Sequence, residues 1–207
     1  MIRMQQPSPE KATALVVKIG GSLLPLIPDL VPLLLASESP LLIVPGGGMF
    51  ADTVRQADVD DDAAHWMAIA AMEQYGWLLS SRGGVAVTGQ LAVPQGSTVF
   101  LPYVCLRKND PLPHSWDITS DSIAAWVAGM LHLDLLLLKS TDGITVGGRL
   151  QEMVSEPLKT EVVDPFFIPF VLKNKIHTAI IKGSDPVRVQ DFLNGLPVPG
   201  TTIGTTF

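Results

Sequence analysis

The sequence predicts an α/β fold with a mainly parallel central sheet. Three observations lead there. Apolar, β-branched segments of strand length alternate with longer stretches of helical spacing along the chain. Two of the apolar segments run straight into glycines, as Leu15-Val16-Val17-Lys18-Ile19-Gly20-Gly21-Ser22 and as Leu41-Leu42-Ile43-Val44-Pro45-Gly46-Gly47-Gly48. A hydrophobic content of 47% in 207 residues is enough for a core covered on both faces of a sheet.

Strands are predicted at Ala14–Ile19, Leu41–Pro45, Gly84–Thr88, Thr98–Leu101, Leu135–Lys139 and Thr178–Lys182. Each is a short apolar run bounded by turn residues. Helices are predicted at Asp29–Ala36, Met49–Gln56, Ala63–Ser81, Thr119–Leu131 and Pro186–Asn194. The first is short because prolines 25, 28 and 32 punctuate it, and proline inside a helix costs about 3 kcal/mol. Ala63–Ser81 is the longest, with Ala, Met, Ile, Trp and Leu at helical spacing behind the acidic run Asp58, Asp60, Asp61 and Asp62, which reads as a solvated turn and helix start. The Pro-rich segment 90–114 has little periodicity and reads as short strands with a mobile flap. Gly147-Gly148 within Gly143–Leu150 reads as a hairpin turn. The polar residues Met1–Ala12 read as a frayed tail, and 13–207 as one domain.

The glycine loops carry the chemistry. A strand that opens into a glycine turn before a helix exposes backbone N–H groups and the positive end of a helix dipole, which together form an anion site. Two such loops suit a protein holding two phosphate-bearing groups face to face, and Lys18 at the tip of the first strand supplies a counter-charge. Lys18 also has a plain reading as a snorkelling strand-end residue. The first loop is not a Walker A loop, because its lysine precedes the glycines. The second matches a dinucleotide fingerprint by letter, Gly46-x-Gly48-x-x-Ala51, but the acidic residue expected at the next strand tip is replaced by a helix start. Gly47 stands where a side chain would obstruct approach to the backbone.

Further along, His114-Ser115-Trp116-Asp117-Ile118-Thr119-Ser120-Asp121 leads into a helix. On one reading this is helix capping, with Asp117 or Thr119 as the N-cap and Asp121 favoured in the first turn. On the other, a carboxylate here orients lysines or Mg²⁺ around a transferring phosphate. A buried strand then delivers Lys139 to its carboxyl end ahead of Thr141-Asp142-Gly143, and Lys182 ends another strand. Ligands of open parallel sheets sit outside the carboxyl ends of strands. Three strand-end lysines among 14 basic residues are hard to ascribe to solubility.

Composition narrows the classes. A net charge of −6 argues against general nucleic-acid binding. The apolar runs are far shorter than the ~20 residues of a membrane helix. One cysteine, Cys105, leaves neither an intrachain disulfide nor a cysteine metal cluster, and points to a reducing, cytoplasmic setting. Histidines 65, 114, 132 and 177 show no metal-ligand spacing, so no protein-held metal is expected. What remains is phosphoryl transfer to a small acceptor. For an acceptor that itself bears phosphate, Arg55, His65 and His114 are the candidate counter-charges.

Taken in order, these motifs, with the closing Gly200-Thr201-Thr202-Ile203, resemble the amino acid kinase superfamily over nearly the whole chain. The resemblance implies a three-layer α/β/α sandwich, with an acceptor half at roughly 13–118 and a nucleotide half at roughly 119–207. It implies that Lys18, Asp121 and Lys139 are catalytic, with Asp121 organising the lysines. Gly20, Gly21, Ser22, Asp142 and Lys182 would bind ATP, and Gly46, Gly47 and Gly48, with Arg55, His65, His114 and Asp117, would face the acceptor. ATP and Mg²⁺ are the implied cofactors. The implied partners are a small-molecule phosphate acceptor and further copies of the chain, with no nucleic acid and no membrane. Within the superfamily, Ala64–Gly76 and His114–Asp121 most resemble the kinase branch of methanofuran biosynthesis, which acts on (5-aminomethylfuran-3-yl)methyl phosphate. Uridylate kinases usually carry an arginine soon after the glycine triplet, where this chain has Met49-Phe50-Ala51-Asp52. A uridylate kinase is the alternative acceptor reading. A turnover-free nucleotide-binding protein of the same fold is the alternative class.

Overall fold

The computed structural model describes Met1 and residues 13–204. The predicted tail therefore lies outside the described residues, Met1 apart. An eight-stranded sheet forms the middle layer, in the order β3 (Ala86–Thr88), β4 (Thr98–Phe100), β2 (Leu41–Pro45), β1 (Leu15–Ile19), β5 (Asp134–Lys139), β9 (Thr178–Lys182), β10 (Thr201–Ile203) and β8 (Met153–Val154). All neighbours are parallel except β9 and β10. The remaining strands, β6 (Thr145–Val146) and β7 (Arg149–Leu150), make the predicted hairpin, with Gly147 and Gly148 both at positive φ.

Alternation along the central strands sorts their side chains between two cores. Val16, Leu42, Val44, Leu135, Leu137 and Ile180 pack on one face with α5 (Ser120–Leu131) and α6 (Phe167–Asn174). Val17, Leu41, Ile43, Leu136, Leu138 and Ile181 pack on the other with α1 (Ile27–Leu35) and α7 (Pro186–Leu193). The result is a three-layer α/β/α sandwich. β5 is leucine on both faces because both are covered. The long α3 (Asp61–Gly83) contributes Ile69 and Met72 to the first core and Tyr75 and Leu79 to the second. Asp60 caps it by accepting from the Ala63 N–H at 2.7 Å, as the acidic run suggested.

Five elements depart from the sequence reading. α1 is preceded by a 3₁₀ turn at Gly21–Leu26, and Pro28 sits in its first turn, where a missing N–H costs nothing. The segment read as strands and flap holds α4 (Tyr103–Asn109), started by a partner distant in sequence: Glu73 of α3 accepts from the Tyr103 N–H at 2.9 Å. The helix α6 and the short strands β10 and, at the sheet edge, β8 were also not predicted. Among the described residues no helix is long and apolar enough to cross a membrane.

Candidate active site

Strand periodicity builds the centre of the site. Lys18 follows Val16 on the α5 face of β1, and Lys139 follows Leu135 and Leu137 on the same face of β5. Asp121, in the first turn of α5, lies between them. Lys18 Nζ stands 2.6 Å from Asp121 Oδ1 as a close charge contact that is not aligned as a hydrogen bond, while Lys139 Nζ donates to Oδ2 at 2.7 Å. Lys18 and Asp121 are each only 3% exposed. Burial pulls the Lys18 ammonium below its ordinary 10.5, with Asp121 opposing and Lys139 adding to the fall. Burial pushes Asp121 up, but the two lysines outweigh it and hold the carboxyl below its usual range.

Capping is not what Asp121 does here. Thr119 is the N-cap of α5, its Oγ1 accepting from the Asp121 N–H at 3.3 Å. Behind it Asp164, which the sequence did not single out, accepts from the N–H and hydroxyl of Thr119 and from those of Ser122. Burial raises the Asp164 carboxyl, and the Ser122 hydroxyl opposes that rise. A neutralised helix end thus fixes the backbone that aims Asp121.

The two glycine loops touch. A Cβ on Gly21 would stand 2.4 Å from Gly48 Cα, and one on Gly46 would stand 2.9 Å from both the Gly21 nitrogen and the Ile19 oxygen. Gly48 opens α2 (Gly48–Arg55) at φ +53, so the left-handed position is Gly48, whereas Gly47 has φ −82 and is glycine because Ala51 Cβ lies in the way. Tyr75 of α3 buttresses both loops: its hydroxyl donates to the Gly20 carbonyl at 3.2 Å and its ring lies along Gly48. Gly21→Ala should therefore push the loops apart. Overpacking of this kind costs about 1–3 kcal/mol, and kcat should fall at least tenfold with it. Steady-state kinetics alongside thermal melts check both.

A cavity of about 590 Å³ opens beside the loops. Lys18, Gly21, Ser22, Gly47, Gly48, Arg55, His65, Asp121 and Lys139 all line it, so nine of the fifteen residues singled out in the sequence converge on one space. The other six do not line it. Gly20 packs below Leu138, and Gly46 packs against the first loop. Asp117 points to solvent, its backbone carbonyl accepting from Phe166 N. Asp142 and Lys182 lie beyond Lys139 at the carboxyl ends of β5 and β9, where Asp142 pairs with Arg188 at 2.7 Å and with Lys182 at 3.9 Å. Arg188, on the helix predicted at Pro186–Asn194, gave no sequence signal of its own.

His114 sits one layer back. Its ring stacks on His65 at 4.1 Å, while Nδ1 meets Asp62 at 2.6 Å and Nε2 meets Asp110 at 2.9 Å. Hydrogen bonds to Asp62 and then Asp110 raise its pKa above the ordinary imidazole value. Burial and then the His114 charge lower His65. His65, Asp110 and His114 bring ligand-type atoms within 4.8 Å, a grouping that sequence spacing did not reveal. Imidazole lone pairs lie in the ring plane, however, and rings stacked within 20° of parallel do not aim them at one ion. Across the mouth, the Arg55 guanidinium lies 4.4 Å above the ring of Trp116.

The chain is 30% identical over 202 residues to the (5-aminomethylfuran-3-yl)methyl phosphate kinase of Methanocaldococcus jannaschii, across 87% of this chain and 93% of that enzyme. The chain belongs to the amino acid kinase superfamily. It is a phosphotransferase. Solved structures of this superfamily share the fold. The UMP kinase of Ureaplasma parvum matches with a TM-score of 0.73 at 18% identity, over 98% of this chain and 100% of that one. The uridylate kinase of Archaeoglobus fulgidus matches at 0.69 and 18%, over 92% and 99%. An isopentenyl phosphate kinase matches at 0.61 and 14%, over 92% and 100%. No family model matches the chain.

Proposed function

We propose that this kinase transfers the γ-phosphoryl group of ATP to a phosphate monoester, (5-aminomethylfuran-3-yl)methyl phosphate, giving the diphosphate and ADP. The observation that carries the reading is the Lys18–Asp121–Lys139 bridge standing where two glycine loops touch. An oxygen of the acceptor phosphate bonds to the γ-phosphorus as the bond to the β,γ-bridging oxygen breaks. Four anionic groups crowd that step, so positioning and charge neutralisation dominate catalysis.

The residues divide the work as follows. Gly21 and Ser22 hold the ATP phosphates at the start of a 3₁₀ turn, whose first N–H groups lack helical partners, and Gly20, its own N–H bonded to the Leu138 carbonyl, shapes the turn behind them. Gly47 and Gly48 hold the acceptor phosphate at the N-terminus of α2, and Gly46, its N–H bonded to the Ile19 carbonyl, seats them against the first loop. Lys18 meets the charge developing on the transferring group. Asp121 holds Lys18 and Lys139 in place, and with both of its oxygens occupied by lysines it is not free to take Mg²⁺. Mg²⁺, which neutralises phosphate charge when bound, would then be held mainly by the nucleotide's own oxygens. Asp142 and Lys182, with Arg188, lie along the nucleotide. Arg55 and His65 wall the acceptor, burial and then His114 lower the pKa of His65, and Asp117 stands outside. Residues 13–207 act as one domain in this reading, and the enzyme works in the cytoplasm as a homo-oligomer.

An acceptor panel tests the proposal. With purified protein, ATP and Mg²⁺, ADP release and ³¹P spectra should show diphosphate formation from the aminomethylfuran phosphate, with kcat/KM at least ~100-fold above that for UMP, a gap of about 2.7 kcal/mol in transition-state binding. Turnover of UMP alone would replace this acceptor with a nucleoside monophosphate.

A further inference from the structure

The acceptor named above carries a phosphate at one end and a primary ammonium at the other, and the cavity has unlike ends too. Its inner end is the cationic floor of Lys18 and Lys139 beside Gly48. Its walls are apolar along Met49, Ile69 and Met72. Asp52, on the cavity-facing side of α2, has no hydrogen-bond or ion-pair partner among the described residues. Arg55 stands three residues on, the spacing at which a helical ion pair forms, yet its guanidinium is turned onto Trp116. Asp52 is therefore an unneutralised carboxylate facing a ligand cavity whose opposite end is positive.

We infer that Asp52 reads the ammonium of the acceptor and so selects aminomethyl-bearing phosphates over neutral ones. This rests on the reading given under Proposed function. Position supports it. Asp52 lies four residues beyond Gly48, one helical turn or ~6 Å along α2, which suits the span between a phosphate and an amine on opposite sides of a five-membered ring. Of the other acidic residues lining the cavity, Asp121 is held between Lys18 and Lys139, and Asp61 opens α3 and lies eleven residues, or ~16 Å, from Met72 of the inner wall. It belongs to the mouth. A carboxylate in this place also repels acceptors that present a second anionic group at that end.

The test compares two acceptors, (5-aminomethylfuran-3-yl)methyl phosphate and its des-amino analogue (5-methylfuran-3-yl)methyl phosphate, in the wild-type enzyme and in Asp52→Asn. The substitution should raise KM for the amino acceptor about tenfold with kcat within a factor of two, since a charge-assisted hydrogen bond to a partly exposed carboxylate is lost. KM for the des-amino analogue should stay unchanged, and Asp52→Glu should recover part of the loss. Asp58→Asn, which removes a nearby charge that does not line the cavity, should leave both acceptors unaffected. Equal changes for both acceptors in Asp52→Asn, or no change for either, would overturn the inference and leave the proposed function standing. A wild-type enzyme that turns over neither acceptor would overturn both.

Discussion

Asp121→Asn is expected to lower kcat at least ~100-fold, on the scale of other preorganised electrostatic groups, and to destabilise the fold as well. Asparagine keeps the shape and the position in the first turn of α5, and Thr119 still supplies the cap. What disappears is the anion between two ammonium groups, one of them almost completely buried. Breaking a buried ion pair costs about 3–5 kcal/mol when the remaining charge stays charged. Lys18 escapes part of that cost by shedding its proton, which removes the charge that catalysis needs. The pH dependence separates these effects. With Asp121 gone, the Lys18 pKa falls further, so above it the unfolded chain binds more protons and the stability of the variant rises with pH towards 10.5. The wild-type carboxyl has a lowered pKa, so its contribution is present above about 3.8 and is lost in acid. Thermal melts from neutral to alkaline pH should show the gap between the two proteins narrowing. A variant with wild-type turnover would return Asp121 to a purely structural role.

The parts of this site that the sequence disclosed share a physical reason. Lys18 and Lys139 end strands, where period-two alternation fixes which face a side chain takes. Asp121 sits within one turn of a helix start that Thr119 announces. Local rules decide all three, and so do the two glycine loops. Contact between those loops is a different matter: Gly21 meets Gly48 only because β1 and β2 pair in register, Lys18 beside Val44 and Ile19 beside Pro45. Residues whose role is set by distant partners stayed hidden. Asp164 reaches Thr119 and Ser122 across more than forty positions of chain. His114 itself was visible, but its pairing with Asp62, folded against it from α3, was not. The same cause explains the missed elements, since α4 begins on a carboxylate of α3, the three-residue β10 exists by pairing with β9, and the two-residue β8 by pairing with β10.

Lys18→Met is expected to reduce kcat by about 10²–10³-fold, equivalent to roughly 2.7–4 kcal/mol of transition-state stabilisation, while leaving a folded protein. Methionine fills much of the same volume on the α5 face of β1 without a charge. The desolvation that pulls the Lys18 pKa down is then relieved, and Asp121 keeps its aligned hydrogen bond from Lys139. Loss of stability should therefore be smaller than in Asp121→Asn, in line with the general finding that apolar replacements of buried charges are tolerated when the remaining charge stays paired. A second readout comes from the wild-type enzyme. Because the Lys18 pKa lies below 10.5, the ammonium is lost earlier on the alkaline side than an ordinary lysine would be, and kcat should decline there at saturating substrates. In Lys18→Met the residual activity should lack that limb, since the titrating group is gone. Bound phosphate will raise the Lys18 pKa, so the limb in kcat/KM, which reports the free enzyme, should lie at lower pH than the limb in kcat. Near-normal kcat in Lys18→Met would remove Lys18 from the mechanism, and an unchanged alkaline limb in the variant would assign that titration to Lys139 or to another group.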